Sequence, residues 1–205
     1  MFLYGYFVFL CSCSFLRPTS NSLELAKYFN NNLGNISSDE IRGRLTRIGY
    51  MAGGQYEFQV IPITLSMLEA EANELKVQRG LTDYEVQKII STRKQELIDN
   101  KICVEMNLSI VKFSSVTTFS KWNVEIIDSL GGKYPITWKL EDLTKSPIST
   151  LFNGLYGIEQ KWFNNATGCV RVSLPVEKGF KIKLSPTFVQ WPFPDSTILT
   201  WRQSI

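Results

Sequence analysis

From Lys101 onward the apolar residues of this chain recur at every second position, and that period restricts the fold more than any other feature. Ile102, Val104, Met106, Leu108 and Ile110 share one parity, and Trp122, Val124 and Ile126 repeat it. After a turn at Gly131-Gly132 come Tyr134, Ile136, Trp138 and Leu140. Val170, Val172 and Leu174 follow, and then Phe180, Ile182 and Leu184 alternate with Lys181 and Lys183. Successive side chains of a strand point to opposite faces, so this period marks strands with one buried and one open side. Such strands about ten residues apart, parted by Gly and Pro turns, predict an antiparallel β-sandwich, immunoglobulin-like or jelly-roll-like, with a barrel as the alternative.

A helical insertion interrupts the pattern. Gln55 to Thr64 alternates as a strand that Pro62 ends or confines to an edge. Ser37 and Glu40 have capping-box spacing ahead of Ile41, Leu45 and Ile48, which predicts a helix near 38–48 closed by Gly49. Ser66 and Glu69 mark the start, and Gly80 the stop, of a helix near 67–79. Thr82 and Glu85 start a third, whose stripe of Val86, Ile89, Ile90, Leu97 and Ile98 predicts an amphipathic helix near 83–100. With 44% hydrophobic residues among 205, the chain can bury one sizeable core. Residues 23–205 therefore read as a single domain, mainly β with a helical insertion.

The chain contains no histidine. That removes Ser-His-Asp and Cys-His nucleophile systems and every zinc site that needs imidazole. No metal ligand set and no cofactor motif is legible. Paired carboxylates remain a route to catalysis, but Glu125 and Asp128 have odd spacing on a strand and fall on opposite faces. Ser91 and Lys94 match S-x-x-K without the companion motifs of penicillin-binding proteins. No catalytic residue is assigned. A net charge of +3, from 22 basic and 19 acidic residues, is too balanced to point to nucleic acid. Arg42, Arg44 and Arg47 fall on the polar side of the first helix, facing solvent or an anionic partner. Trp122 and Trp138 have core parity. Trp162 and Trp191 stand beside turn-forming residues and are the candidates for an exposed aromatic platform that binds a glycan.

The run from Phe2 to Leu10 is too short to span a bilayer as a helix and matches the hydrophobic region of a signal peptide. Leu10-Cys11-Ser12-Cys13, directly after it, resembles the lipobox of bacterial exported lipoproteins. The resemblance is confined to this N-terminal stretch. It implies that residues 1–12 are a signal peptide, that Cys13 becomes the lipidated first residue, and that residues 13–22 tether the domain. In an exported chain the remaining pair, Cys103 and Cys169, is either a disulfide or two packed thiols. Both lie off the apolar parity of their strands, so a bridge would join neighbouring strands on one sheet's outer face, beneath the helices. The expectation is a lipid-anchored envelope protein with a non-catalytic binding or structural domain. Its partners would be the membrane and an envelope protein or glycan, not nucleic acid. The alternative is an exported carbohydrate-binding protein or a carboxylate-dependent hydrolase.

Overall fold

The computed structural model describes residues 28–29, 36–51, 54–97, 100–111, 118–152, 155–173, 178–188 and 196–202. The expected signal peptide, Cys13, the tether and Trp191 lie outside the described residues. The principal elements are α1 (Ser38–Leu45), β1 (Arg47–Met51), β2 (Tyr56–Ile63), α2 (Leu65–Arg79), α3 (Asp83–Lys94) and β3 (Lys101–Val111). They continue with β4 (Trp122–Asp128), β5 (Lys133–Pro135), β6 (Thr137–Phe152), β7 (Leu155–Arg171), β8 (Phe180–Pro186) and β9 (Thr197–Trp201). The strands form a five-stranded sheet, β1-β2-β3-β7-β6, and a four-stranded sheet, β5-β4-β8-β9. All pairings are antiparallel. The protein is thus an antiparallel β-sandwich with a helical insertion between β2 and β3.

The alternating apolar residues fill the space between the sheets. Val104, Met106, Leu108 and Ile110 of β3 are fully buried, as are Phe58 and Val60 of β2 and Ile182 and Leu184 of β8. Trp122 of β4 meets Tyr56 and Phe58 of β2 edge to face, with ring centroids 5.4 Å and 4.8 Å apart. Trp201 of β9 stacks on Phe180 of β8 at 5.1 Å. Its Nε1–H donates to the Leu45 carbonyl at 2.7 Å, so the last strand satisfies the end of α1 in the interior.

Helix bounds differ from the sequence expectation in three places. The helix expected to reach 48 stops at Leu45, because Thr46 caps it through its N–H and its hydroxyl, both donating to the Arg42 carbonyl. Residues 47–51 instead form β1. Gly49 is therefore no helix stop; it lies in β1, where a Cβ would come within 3.1 Å of Leu199 of β9. The second helix starts at Leu65, with Thr64 as its cap in place of Ser66. The third begins with the expected Thr82–Glu85 capping box but ends at Lys94, followed by a tight turn at Gln95–Leu97. It cannot reach 100, because Asn100 holds φ +55° and accepts from the Val172 N–H as the chain turns into β3.

The strand expected over Tyr134–Leu140 is two strands. Residues 133–135 pair with β4, and from Thr137 the chain pairs with β7, so it changes sheets at Ile136. Gly168 makes room for the crossing: a Cβ there would lie 2.3 Å from Ile136 Cγ2 and 2.8 Å from Trp138 Cε3. Beyond Lys161, where the β3 pairing ends, β6 and β7 continue as a two-stranded ribbon.

Trp201→Phe removes the indole donor and leaves the Leu45 carbonyl unpaired in the core. The expected loss is about 1–3 kcal/mol in urea unfolding. An unchanged midpoint would show that this bond does not hold α1 to the sandwich.

Candidate functional site

The three arginines do not share a helix face. Arg42, on α1, is clasped by Glu71 of α2 at 2.6 Å and Glu105 of β3 at 2.8 Å, while Arg93 of α3 reaches the other Glu71 oxygen at 2.7 Å. Burial alone would weaken the Arg42 charge, but the hydrogen bonds it donates to Glu105 and Glu71 outweigh it and raise the guanidinium above its ordinary value. Arg44 bonds to Glu40 and to the Tyr28 hydroxyl. Arg47 lies on β1, where it donates to the carbonyls of Arg44 and Thr46 and sits 6.0 Å from the Trp201 ring. Its burial lowers its affinity for the proton. Arg42 and Arg47 thus join α1 to the sandwich.

Cys103 and Cys169 form a disulfide. They are register partners on the neighbouring strands β3 and β7 of one sheet. Cys103 lies on the side of β3 that also carries Glu105, the residue that meets Arg42 of α1, so the bridge sits on the outer, helix-bearing face. The parity argument located it correctly.

Trp122 is buried and Trp138 is packed against the core. Trp162 is not beside a turn: it lies within β7, opposite Ile110, on the side that faces the core, and is half-buried. The turn-like run Asn164-Asn165 is strand because Asn164 is buried on the core side and the Asn165 amide bonds across to Asn107.

The carboxylates serve the fold. Glu125 and Asp128 lie on opposite faces of β4, with Glu125 half-exposed and Asp128 buried. Burial pushes the Asp128 carboxyl up, but the Gly132 N–H at 2.8 Å, the Tyr134 hydroxyl at 2.9 Å and the Leu130 N–H at 3.0 Å more than reverse it. Glu74 accepts from the Ser38 hydroxyl at 2.6 Å and its N–H at 2.7 Å, which holds it below the usual carboxylate range. The Ser91 hydroxyl donates to the Lys88 carbonyl within its own helix. Among the described residues no group of three or more Cys, Asp or Glu could hold a metal ion.

Two surfaces emerge that sequence reading did not find. On the outward face of the five-stranded sheet, Gln59, Asn107 and Asn165 stand in register on β2, β3 and β7, linked amide to amide. The adjacent row places exposed Tyr50 at one end and Phe163 at the other, three strands or about 14 Å apart. Gln59 and Asn107 were visible as outward positions of their strands, whereas Asn165 and Phe163 lie in a turn-like run and Tyr50 follows an expected helix, so only long-range register aligns them. The other surface, on the four-stranded sheet, gathers Lys133, Lys181 and Lys183.

No family model and no curated protein matches the chain. Among solved structures, a crystal structure of a protein of unknown function from Burkholderia pseudomallei is similar over 79% of this chain and 81% of that chain. The identity is 9% and the TM-score 0.37.

The lowered Glu74 value carries a definite sign. Its stabilisation is complete above the ordinary carboxylate pKa and is lost as pH falls through the depressed folded value. Glu74→Gln should therefore flatten the fall in thermal midpoint from about pH 5 downward. Parallel acid profiles for the two proteins would show that the Ser38 contacts do not favour the charged carboxylate.

Proposed function

We propose that this chain is an exported cell-envelope protein, held at a membrane by an acylated Cys13 after removal of residues 1–12, whose sandwich is a binding module. The observation that carries the proposal is the Cys103–Cys169 disulfide, which suits an oxidising compartment and is rare in the cytosol. The lipobox-like residues supply the anchor, and no helix among the described residues is long and apolar enough to cross a membrane.

The decisive measurement is the intact mass of the membrane-extracted protein expressed with its own N-terminus. The expected mass is that of residues 13–205 plus acyl chains, rising by about 2 Da on reduction as two thiols form. Reduction should also cost about 4 kcal/mol of stability, because the bridge spans 66 residues of sequence. An unmodified full-length mass in the soluble fraction would refute the anchor.

A second reading, that the module binds a glycan, is favoured by the amide row. Side-chain amides donate to and accept from sugar hydroxyls, and Tyr50 and Phe163, at the ends of the adjacent row, offer rings for stacking. Trp162 is better left intact in such a test, because it lies on the core side. Tyr50→Ala and Asn107→Ala should each abolish retention on insoluble cell-wall polysaccharide while the thermal midpoint stays near that of the parent. Undiminished retention of both variants would remove this surface as a glycan site.

A further inference from the structure

The outward side of the four-stranded sheet carries an excess of positive charge, with one carboxylate, Glu125, beside Lys183. On β8, Phe180, Ile182 and Leu184 enter the core, which turns Lys181 and Lys183 outward. Register sets Lys181 beside Ile127 and Thr200, and Lys183 beside Glu125 and Ile198. Lys133 of β5 stands on the far side of Ile127, and exposed Arg202 follows β9. Glu125 is the single carboxylate at the outward positions of these four strands. Among the described residues, none of the four basic groups takes part in an ion pair. On the helices Arg42, Arg44, Lys76 and Arg93 pair with carboxylates, whereas Arg79, Lys88 and Lys94 take part in no ion pair among the described residues.

The Phe29 ring lies edge-on to Phe180, at 6.5 Å, on the core side of β8, opposite Lys181. Fourteen residues lie between Cys13 and Tyr28, a reach of at most about 54 Å. An acylated Cys13 would therefore hold the domain within reach of lipid headgroups and leave its surface charge to decide which face meets them.

We infer that the outward face of the four-stranded sheet docks on an anionic phospholipid bilayer, so that the sandwich lies against the membrane beside its own anchor. The choice of lipid as the occupant rests on the proposed anchor. Each basic group near an anionic surface raises partitioning about fivefold. Exposed Ile198 adds apolar area among the charges. Nucleic acid fits less well, because the outward positions of β4, β8 and β9 hold no aromatic ring on which bases could stack.

The test uses the full chain carrying Cys13→Ala, so that no acyl group contributes, in co-sedimentation with vesicles. Binding to phosphatidylcholine vesicles containing phosphatidylglycerol should exceed binding to phosphatidylcholine alone at least about 20-fold and vanish near 0.5 M salt. Lys181→Glu with Lys183→Glu should abolish the preference. Lys88→Glu with Lys94→Glu, an equal charge change on α3, should leave it intact. If the first pair disturbs folding, Lys133→Glu with Arg202→Glu serves in its place.

Equal binding to both vesicles, or equal loss in the β8 and α3 variants, would overturn the inference. So would DNA binding at the same salt as strong as vesicle binding. The two readings fail separately. An acylated mass with no anionic preference keeps the anchor and removes the docking face, whereas an unacylated chain that prefers anionic vesicles does the reverse.

Discussion

Because Ile102, Val104, Met106, Leu108 and Ile110 face the second sheet while Cys103 and Glu105 face the helices, β3 must hold one register with both neighbours. A slip of one residue would turn Cys103 and Glu105 into the core and five apolar side chains out of it. The disulfide fastens that register on the β7 side. Glu105 does the same for the insertion, since its bond to Arg42 and Arg42's bond to Glu71 place α1 and α2 over the sheet. A half-buried carboxylate is costly alone, and the arginines make it tolerable. Arg42, Arg93, Glu71 and Glu105 are therefore committed to assembly.

The two sheets meet at positions where a side chain would not fit. Gly168 lies beneath the point where the chain crosses from β5 to β6, with Ile136 and Trp138 filling the space a Cβ would need. Gly49 plays a similar part where β1 approaches β9. Large rings occupy what remains: Trp122 between β2 and β4, and Trp201 against Phe180 and the end of α1. Bulk and its absence are matched across the interface, as close packing demands.

The parts of this fold written in local pattern were legible. Alternation identified the inner faces of β3, β4 and β8, and parity put both cysteines outside the core on adjacent strands. Capping spacing located the start of α3. What failed depended on distant residues. Ile48 has helical spacing from Leu45, yet pairing with β2 claims it for β1. Lys161 to Asn165 resembles a turn, but β3 supplies partners for its backbone and Asn107 for its amide. The same limit hid both candidate surfaces. Gln59, Asn107 and Asn165 span more than a hundred residues of sequence, and only strand order brings them into one row.

Net charge conceals how charge is arranged. The whole chain carries +3, which suggests no partner. On the helical side Arg42 and Arg93 are held in ion pairs that brace the fold, while the four-stranded sheet leaves Lys133, Lys181 and Lys183 at outward positions with one carboxylate among them. Alternation alone turns Lys181 and Lys183 to the open side of β8, but it does not account for three lysines with one carboxylate, which repel one another unless an anionic surface meets them. With that face toward the membrane, the amide row on the opposite sheet would point away from it, toward whatever the envelope presents. On the proposed reading the four-stranded sheet would hold the domain in place, and the amide row, on the helix-bearing side, would be left to meet a ligand.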